Sequence, residues 1–187
     1  MPEKRRLFIA SPLAGPLREN LLAVYERREL ITAQIPRRIR WVPPEQWHLT
    51  WLFLGDVDAG MIPEVQERLA SALSNFQPVH AELDDLTLWP NARRANVLIC
   101  RLKHEPSLAS LSEMIRMALP EFKADKPFAP HITLARLKEA RPGVQTRFHP
   151  EGFQATEGML DSVVLYQSTL TAEGAIHQPL WTLSPAN

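Results

Sequence analysis

Two stretches of this chain repeat one another at an offset of 83 positions, close to half of its 187 residues. The first is Pro44-Glu45-Gln46-Trp47-His48-Leu49-Thr50-Trp51-Leu52-Phe53-Leu54, and the second is Pro127-Phe128-Ala129-Pro130-His131-Ile132-Thr133-Leu134-Ala135-Arg136-Leu137. Pro, His, an aliphatic residue, Thr and Leu recur in step. Each stretch reads as a strand. With a side-chain period of two, His48 and Thr50 take one face while Leu49 and Trp51 take the other, and His131 and Thr133 likewise oppose Ile132 and Leu134. The apolar faces belong in a core and the His/Thr faces on a cleft. A half-chain repeat of this kind implies a duplicated unit whose pseudo-twofold axis sets the two strands face to face. Six histidines and nine threonines would place about 0.3 His-x-Thr tripeptides in such a chain by chance, so two with matching flanks carry information.

The rest of the chain supplies the frame. A strand is predicted over 5–10, then a helix from Pro16 through Leu21, Val24 and Leu30 to Gln34, with Pro16 suited to the first helical turn. Extended segments follow over 38–42 and 47–54, separated by Pro43-Pro44. A second helix over 59–75 carries Ile62, Val65, Leu69 and Leu73 on one face, and a third over 106–119 carries Leu108, Leu111, Ile115 and Leu119 before Pro120. Further strands fit 79–88, 95–102, 130–137, 160–168 and 176–183. Strands alternating with three helices argue an α+β or α/β fold with antiparallel pairing. With 17 Pro, 7 Gly and no Gly/Ser-rich linker, residues 1–187 are expected to form one unit whose lobes share a core.

Two facing His/Thr pairs suit phosphodiester chemistry. Histidine titrates near pH 6.5, so one imidazole accepts a proton while a second donates one. Threonine hydroxyls donate hydrogen bonds, and two flanking one point hold the non-bridging oxygens of a phosphate. In-line displacement at phosphorus needs groups on opposite sides, which a twofold-related pair provides.

At these residues the sequence resembles the 2H phosphoesterases, and most closely their bacterial and archaeal branch, the RNA 2',3'-cyclic phosphodiesterases once called 2'-5' RNA ligases. The resemblance runs through Arg6-Leu7-Phe8-Ile9-Ala10, Trp41-Val42-Pro43-Pro44-Glu45, His48 to Gly55, Pro127 to Arg136 and Leu165-Tyr166-Gln167-Ser168. Trp51 is bulkier than the aliphatic residue usual there. The resemblance implies a bilobal α+β fold, two antiparallel sheets with outer helices and a central cleft. It also implies that His48 is the proton donor to the leaving 3' oxygen and His131 the base that activates water, giving a 2'-phosphomonoester. Thr50 and Thr133 would bind the phosphate, no metal or other cofactor is expected, and reverse 2'-5' ligation belongs to the same chemistry. The expected partner is an RNA end bearing a 2',3'-cyclic phosphate, met by a monomer.

Other residues carry less. Arg136 lies just past the second motif as a candidate cation for the phosphate, against the plain reading of a solvated strand end. Arg37, Arg38, Arg40, Arg93 and Arg94 are either solvated or contacts to the RNA backbone. Phe8 and Phe53 are either core residues or stacking surfaces for a base. His80, His104, His149 and His177 have no repeated context and read as surface or structural residues. Cys100 sits in an apolar run as a buried thiol. Net charge is zero, which excludes a global field for holding long nucleic acid. No run approaches a membrane span, so a cytoplasmic location is expected. Three other readings remain at this point: a relative acting on a small cyclic nucleotide or a 2'-5' linkage, an RNA-end-binding module without turnover, and a zinc hydrolase that lacks a third ligand.

Overall fold

The computed structural model describes residues 3–35, 38–91, 95–122, 127–138, 152–172 and 174–185. Nine strands and four α-helices follow in the order β1 (Lys4–Pro12), α1 (Gly15–Glu26), α2 (Arg28–Gln34), β2 (Arg38–Trp41), β3 (His48–Asp58), α3 (Ile62–Ala72), β4 (Val79–Trp89), β5 (Val97–Leu102), α4 (Pro106–Ala118), β6 (His131–Lys138), β7 (Glu157–Leu160), β8 (Val163–Thr171) and β9 (Gly174–Leu183). The fold is α+β, as expected. All pairings are antiparallel, in the order β7-β4-β5-β6-β3-β1-β8-β9, with β2 laid beside β6.

The joint of this sheet is short. Strand β3 meets β6 through a single pair, Leu49 opposite Ile132, which divides the order into β9-β8-β1-β3 on one side and β6-β5-β4-β7 on the other. Strand β2 runs along the far part of β6 as far as Trp41 opposite Ala135, and Val42 N–H then donates to Leu134 C=O. A 3-10 turn at Pro44–Gln46 delivers the chain to His48. Both motifs therefore start where a proline-bearing segment ends and a strand begins.

Apolar periodicity explains the helices. Val65, Leu69 and Leu73 are buried as predicted, and so are Leu108, Leu111, Ile115 and Leu119. Helix α4 packs on β3 and β4, and α3 packs on α4. The Arg68 guanidinium braces that pair through Ala118 C=O and the Glu121 carboxylate, 2.7 Å away. Helix α1 lies on β7 at a point that only glycine permits, since a Cβ on Gly158 would stand 2.7 Å from Leu17 Cγ.

Three predicted elements differ. The helix expected over 16–34 breaks at Arg27, whose φ of −97° and ψ of 14° close α1 in a tight turn. The Arg28 guanidinium stabilises the break by bonding Tyr25 C=O and lying 4.5 Å over the Tyr25 ring. Ile31 rather than Leu30 enters the core, and Leu30 is 59% exposed. The helix expected over 59–75 opens with a 3-10 turn, where Asp58 accepts from Gly60 N–H, and becomes α-helical only at Ile62. The strand expected over 160–168 is two strands, with β7 on β4 and β8 on β1. Between them Ser162 C=O accepts from the Ser11 hydroxyl.

Leu49 and Ile132 are 1% and 0% exposed at the joint. Leu49→Ala is expected to cost about 2 to 5 kcal/mol, the range for an aliphatic side chain removed from a packed core. Chemical denaturation measures it, and a loss below about 1 kcal/mol would mean that the two halves do not depend on this contact.

Candidate active site

The residues that flank the joint project from the opposite face of the sheet. Around Leu49 and Ile132 these are His48, Thr50, His131 and Thr133, all half-buried. Antiparallel pairing sets the two His-x-Thr segments side by side in one sheet, head to tail.

Each motif also contains a β-bulge at the same repeat position. On β3, Thr50 pairs with Ala10 and Leu52 with Ile9, which leaves Trp51 as the extra residue. On β6, Thr133 pairs with Ile99 and Ala135 with Leu98, which leaves Leu134 extra. A bulge shifts the side-chain phase by one residue. Residues 51 and 52 are consequently both buried, as are 134 and 135, and the next residue turns back to the His/Thr side. That residue is Phe53 in the first motif and Arg136 in the second. Strict alternation would have sent both into the core. Phe53 instead is 48% exposed and lines the same cavity as Arg136. Trp51 stays in the core at 4% exposure, its indole N–H donating to Ser11 Oγ at 2.8 Å.

The two imidazoles are held alike. His48 Nδ1 lies 2.6 Å from Gln46 C=O, and His131 Nδ1 lies 2.7 Å from Ala129 C=O. A carbonyl only accepts, so each Nδ1 carries the proton of that bond. In the neutral ring Nε2 is then a free acceptor. The two rings are thus matched in tautomer by carbonyls two residues upstream, each with Nε2 left as an acceptor.

The cavity they line measures about 820 Å³. Phe8 lies beneath His48 at 5.0 Å between ring centroids, with Phe53 at 5.8 Å and Tyr166 at 5.2 Å on either side. Phe8 is 2% exposed, so of the two phenylalanines only Phe53 presents a stacking face. Arg6 sits 5.0 Å over the Phe53 ring. His177 corrects the sequence reading. Strand β9 pairs it with Ser168, and its ring stands edge-on to His48 at 5.4 Å and to Phe8 at 4.8 Å. Its register on a strand distant in sequence places it there, and no local motif announces that.

Electrostatics follow from burial. Desolvation is the main cause that lowers His48 to about 4, with His177, His131 and Arg136 adding to it and the Gln46 carbonyl opposing. Desolvation also lowers His131, against the Ala129 carbonyl, and lowers His177 with help from Arg136. Arg6, Arg40 and Arg136 line the cavity, and among its described lining residues there is no Asp or Glu. A neutral protein thus concentrates positive charge where the imidazoles are, and the site is built for an anion.

Of the predicted residues, His48, Thr50, His131, Thr133 and Arg136 come together in this cavity, joined by Arg40, Phe8 and Phe53. His80 and His104 lie outside it, while Arg37, Arg93, Arg94 and His149 lie outside the described residues. Cys100 is fully buried, and burial pushes its thiol up out of the reactive range. Among the described residues no three His, Cys, Asp or Glu side chains converge as metal ligands, and no helix is long and apolar enough to cross a membrane.

Known proteins resemble this chain in sequence and fold. Over 180 residues the chain is 28% identical to an RNA 2',3'-cyclic phosphodiesterase of Archaeoglobus fulgidus, covering 94% of this chain and 97% of that protein. A Thermus thermophilus protein of the same description is 32% identical over 149 residues, covering 74% and 72%. The crystal structure of a Thermus thermophilus protein superposes with a TM-score of 0.76 at 28% identity, covering 96% of this chain and 97% of that one. Escherichia coli LigT complexed with 3'-AMP shares the fold, with a TM-score of 0.71 at 24% identity over 99% and 100% of the two chains. The family described as LigT like Phosphoesterase matches residues 16–99 and 102–177, nearly the whole chain and both His-x-Thr motifs, and to that family of phosphoesterases this chain belongs.

Proposed function

We propose that this chain hydrolyses the 2',3'-cyclic phosphate at RNA ends to a 2'-phosphomonoester by proton transfer between two histidines, without a metal. The observation that carries the reading is the matched pair of imidazoles, each held through Nδ1 by the carbonyl two residues upstream, on either side of the Leu49–Ile132 joint. The descriptions of the relatives support the substrate.

Water attacks the cyclic phosphorus and gives its proton to His131 Nε2. The P–O3' bond breaks, and the 3' oxygen takes a proton from His48 Nε2 to become a hydroxyl. Atoms and charge balance, and one proton has passed from each group to the next. Thr50 and Thr133 donate to the non-bridging oxygens, and the Arg136 guanidinium neutralises the charge that builds there. The same groups with exchanged roles would join a 2'-hydroxyl and a cyclic end in reverse. In this reading the strands on either side of the joint are the two lobes of one domain, with the substrate between them. Cys100, buried and unpaired, suits the reducing cytoplasm expected for it.

His48→Ala and His131→Ala should each lower turnover of an oligonucleotide with a 2',3'-cyclic end by roughly 100-fold or more, the scale of one acid or base. Folding should survive, because both rings line the cavity on the face of the sheet opposite Leu49 and Ile132. Parallel loss of melting temperature and activity in both variants would contradict the assignment.

The pH profile follows from the depressed imidazoles. In the free site both rings titrate below 6.5, and His48 near 4, so the donor is neutral at pH 7 until an anion arrives. A phosphate favours the imidazolium and raises it. The profile of kcat/KM reports the free protein, so it should be bell-shaped with both limbs below about pH 6.5, whereas the descending limb of kcat should lie higher. Imidazole proton NMR titration with and without inorganic phosphate checks the same shift directly. Activity should persist in excess EDTA. A rate that climbs steadily with pH and is restored to a chelated sample by zinc would sink the mechanism.

A further inference from the structure

Arg40 and Arg136 face each other directly across the β2–β6 pair. Like charges in directly opposed cross-strand positions repel, and Arg40 is among the causes that hold Arg136 below its ordinary value. Both line the cavity, Arg6 lines it too, and the described lining residues include no carboxylate to balance them. At the same end the β8–β9 hairpin comes close, since a Cβ on Gly174 would stand 3.6 Å from the Arg40 guanidinium.

A 2',3'-cyclic phosphate carries one negative charge. Seated between the His/Thr pairs it would neutralise one of the two opposed guanidinium groups, and among the described lining residues no carboxylate faces the other. The cavity of about 820 Å³ extends well beyond what the cyclic phosphate itself would fill. We propose that Arg40, beside Arg136 and under the β8–β9 hairpin, is a second phosphate subsite that takes the phosphate ester on the 5' side of the terminal nucleotide. It rests on the proposed hydrolysis of cyclic ends and makes the chain selective for ends that carry a further phosphate over cyclic mononucleotides. The guanidinium fork suits a phosphate with two free oxygens, which either an internucleotide diester or a 5'-monophosphate presents.

Three substrates separate the sources: a nucleoside 2',3'-cyclic phosphate, the same compound with a 5'-phosphate, and a dinucleotide with a cyclic end. Their kcat/KM values are compared for the wild type and Arg40→Gln, with melting temperature as the folding control. The dinucleotide should exceed the cyclic mononucleotide by roughly 10-fold or more, the effect of one charge-assisted contact. Arg40→Gln should remove most of that gain, lowering kcat/KM for the dinucleotide several-fold more than for the mononucleotide. A matching gain for the 5'-phosphorylated compound assigns the subsite to any phosphate ester, and a gain for the dinucleotide alone assigns it to the internucleotide diester. Equal kcat/KM for dinucleotide and mononucleotide, or an equal fall of both in Arg40→Gln, would overturn the subsite and leave the hydrolase reading intact.

Absence of turnover on all three would contradict the hydrolase reading instead. Calorimetric binding of a dinucleotide 3'-phosphate against a mononucleoside 3'-phosphate then decides the subsite by itself. Tighter dinucleotide binding that Arg40→Gln abolishes supports it, and equal binding overturns it.

Discussion

Everything at this site depends on one backbone pairing, Leu49 against Ile132. It is the only register pair between β3 and β6, and both side chains are sealed in the core beneath it. Because an antiparallel pair turns its flanking residues to the other face, this contact fixes His48, Thr50, His131 and Thr133 relative to one another. The geometry of the candidate site is therefore a property of the hydrophobic core. Each imidazole is then oriented by a carbonyl only two residues away, so its tautomer is set by local chain geometry on either side of the joint. For the proposed reaction, strands held by the core would supply the preorganisation that transition-state stabilisation requires.

The bulges at Trp51 and Leu134 are the second device. By inserting one residue directly after each threonine they let a core strand turn its next side chain toward the cavity. The sequence repeat gives the two bulges equivalent positions, and the chain has placed different chemistry on them. Phe53 offers an apolar face on one side and Arg136 a charge on the other. Phe53, with the Arg6 guanidinium over its ring, and Arg136, opposite Arg40, therefore give the two sides of the cavity different chemistry.

Much of this was legible in the sequence. The His-x-Thr repeat was readable because side-chain alternation within a strand is a local rule, and Leu49 and Ile132 were placed correctly by it. Helices α3 and α4 followed from apolar spacing in the same way. Nearness to the motif points to Arg136 although strict alternation opposes it, and the bulge that reconciles the two is a matter of register against β5. His177 carries no local signal, because its partner Ser168 lies on the preceding strand and its neighbour His48 lies far away in sequence. The break at Arg27 hides for a related reason: Tyr25, whose ring packs edge-on to Trp41 and Trp47, anchors the turn through residues beyond the helix. Tertiary register, rather than composition or propensity, is what the sequence withheld.

Burial has an electrostatic consequence that ties substrate to catalyst. Burial lowers the His48 imidazole to about 4, with His177, His131 and Arg136 adding to it, so the ring is neutral at pH 7. In the proposed reaction a bound phosphate anion favours the imidazolium, so that His48 takes a proton from solvent as the substrate arrives. The most direct test of the account is hydrolysis of an oligonucleotide with a 2',3'-cyclic end in ¹⁸O-labelled water, with the product read by mass spectrometry and position-specific phosphatase digestion. The account predicts a single ¹⁸O in a 2'-phosphate with a free 3'-hydroxyl, and a 3'-phosphate product would contradict it.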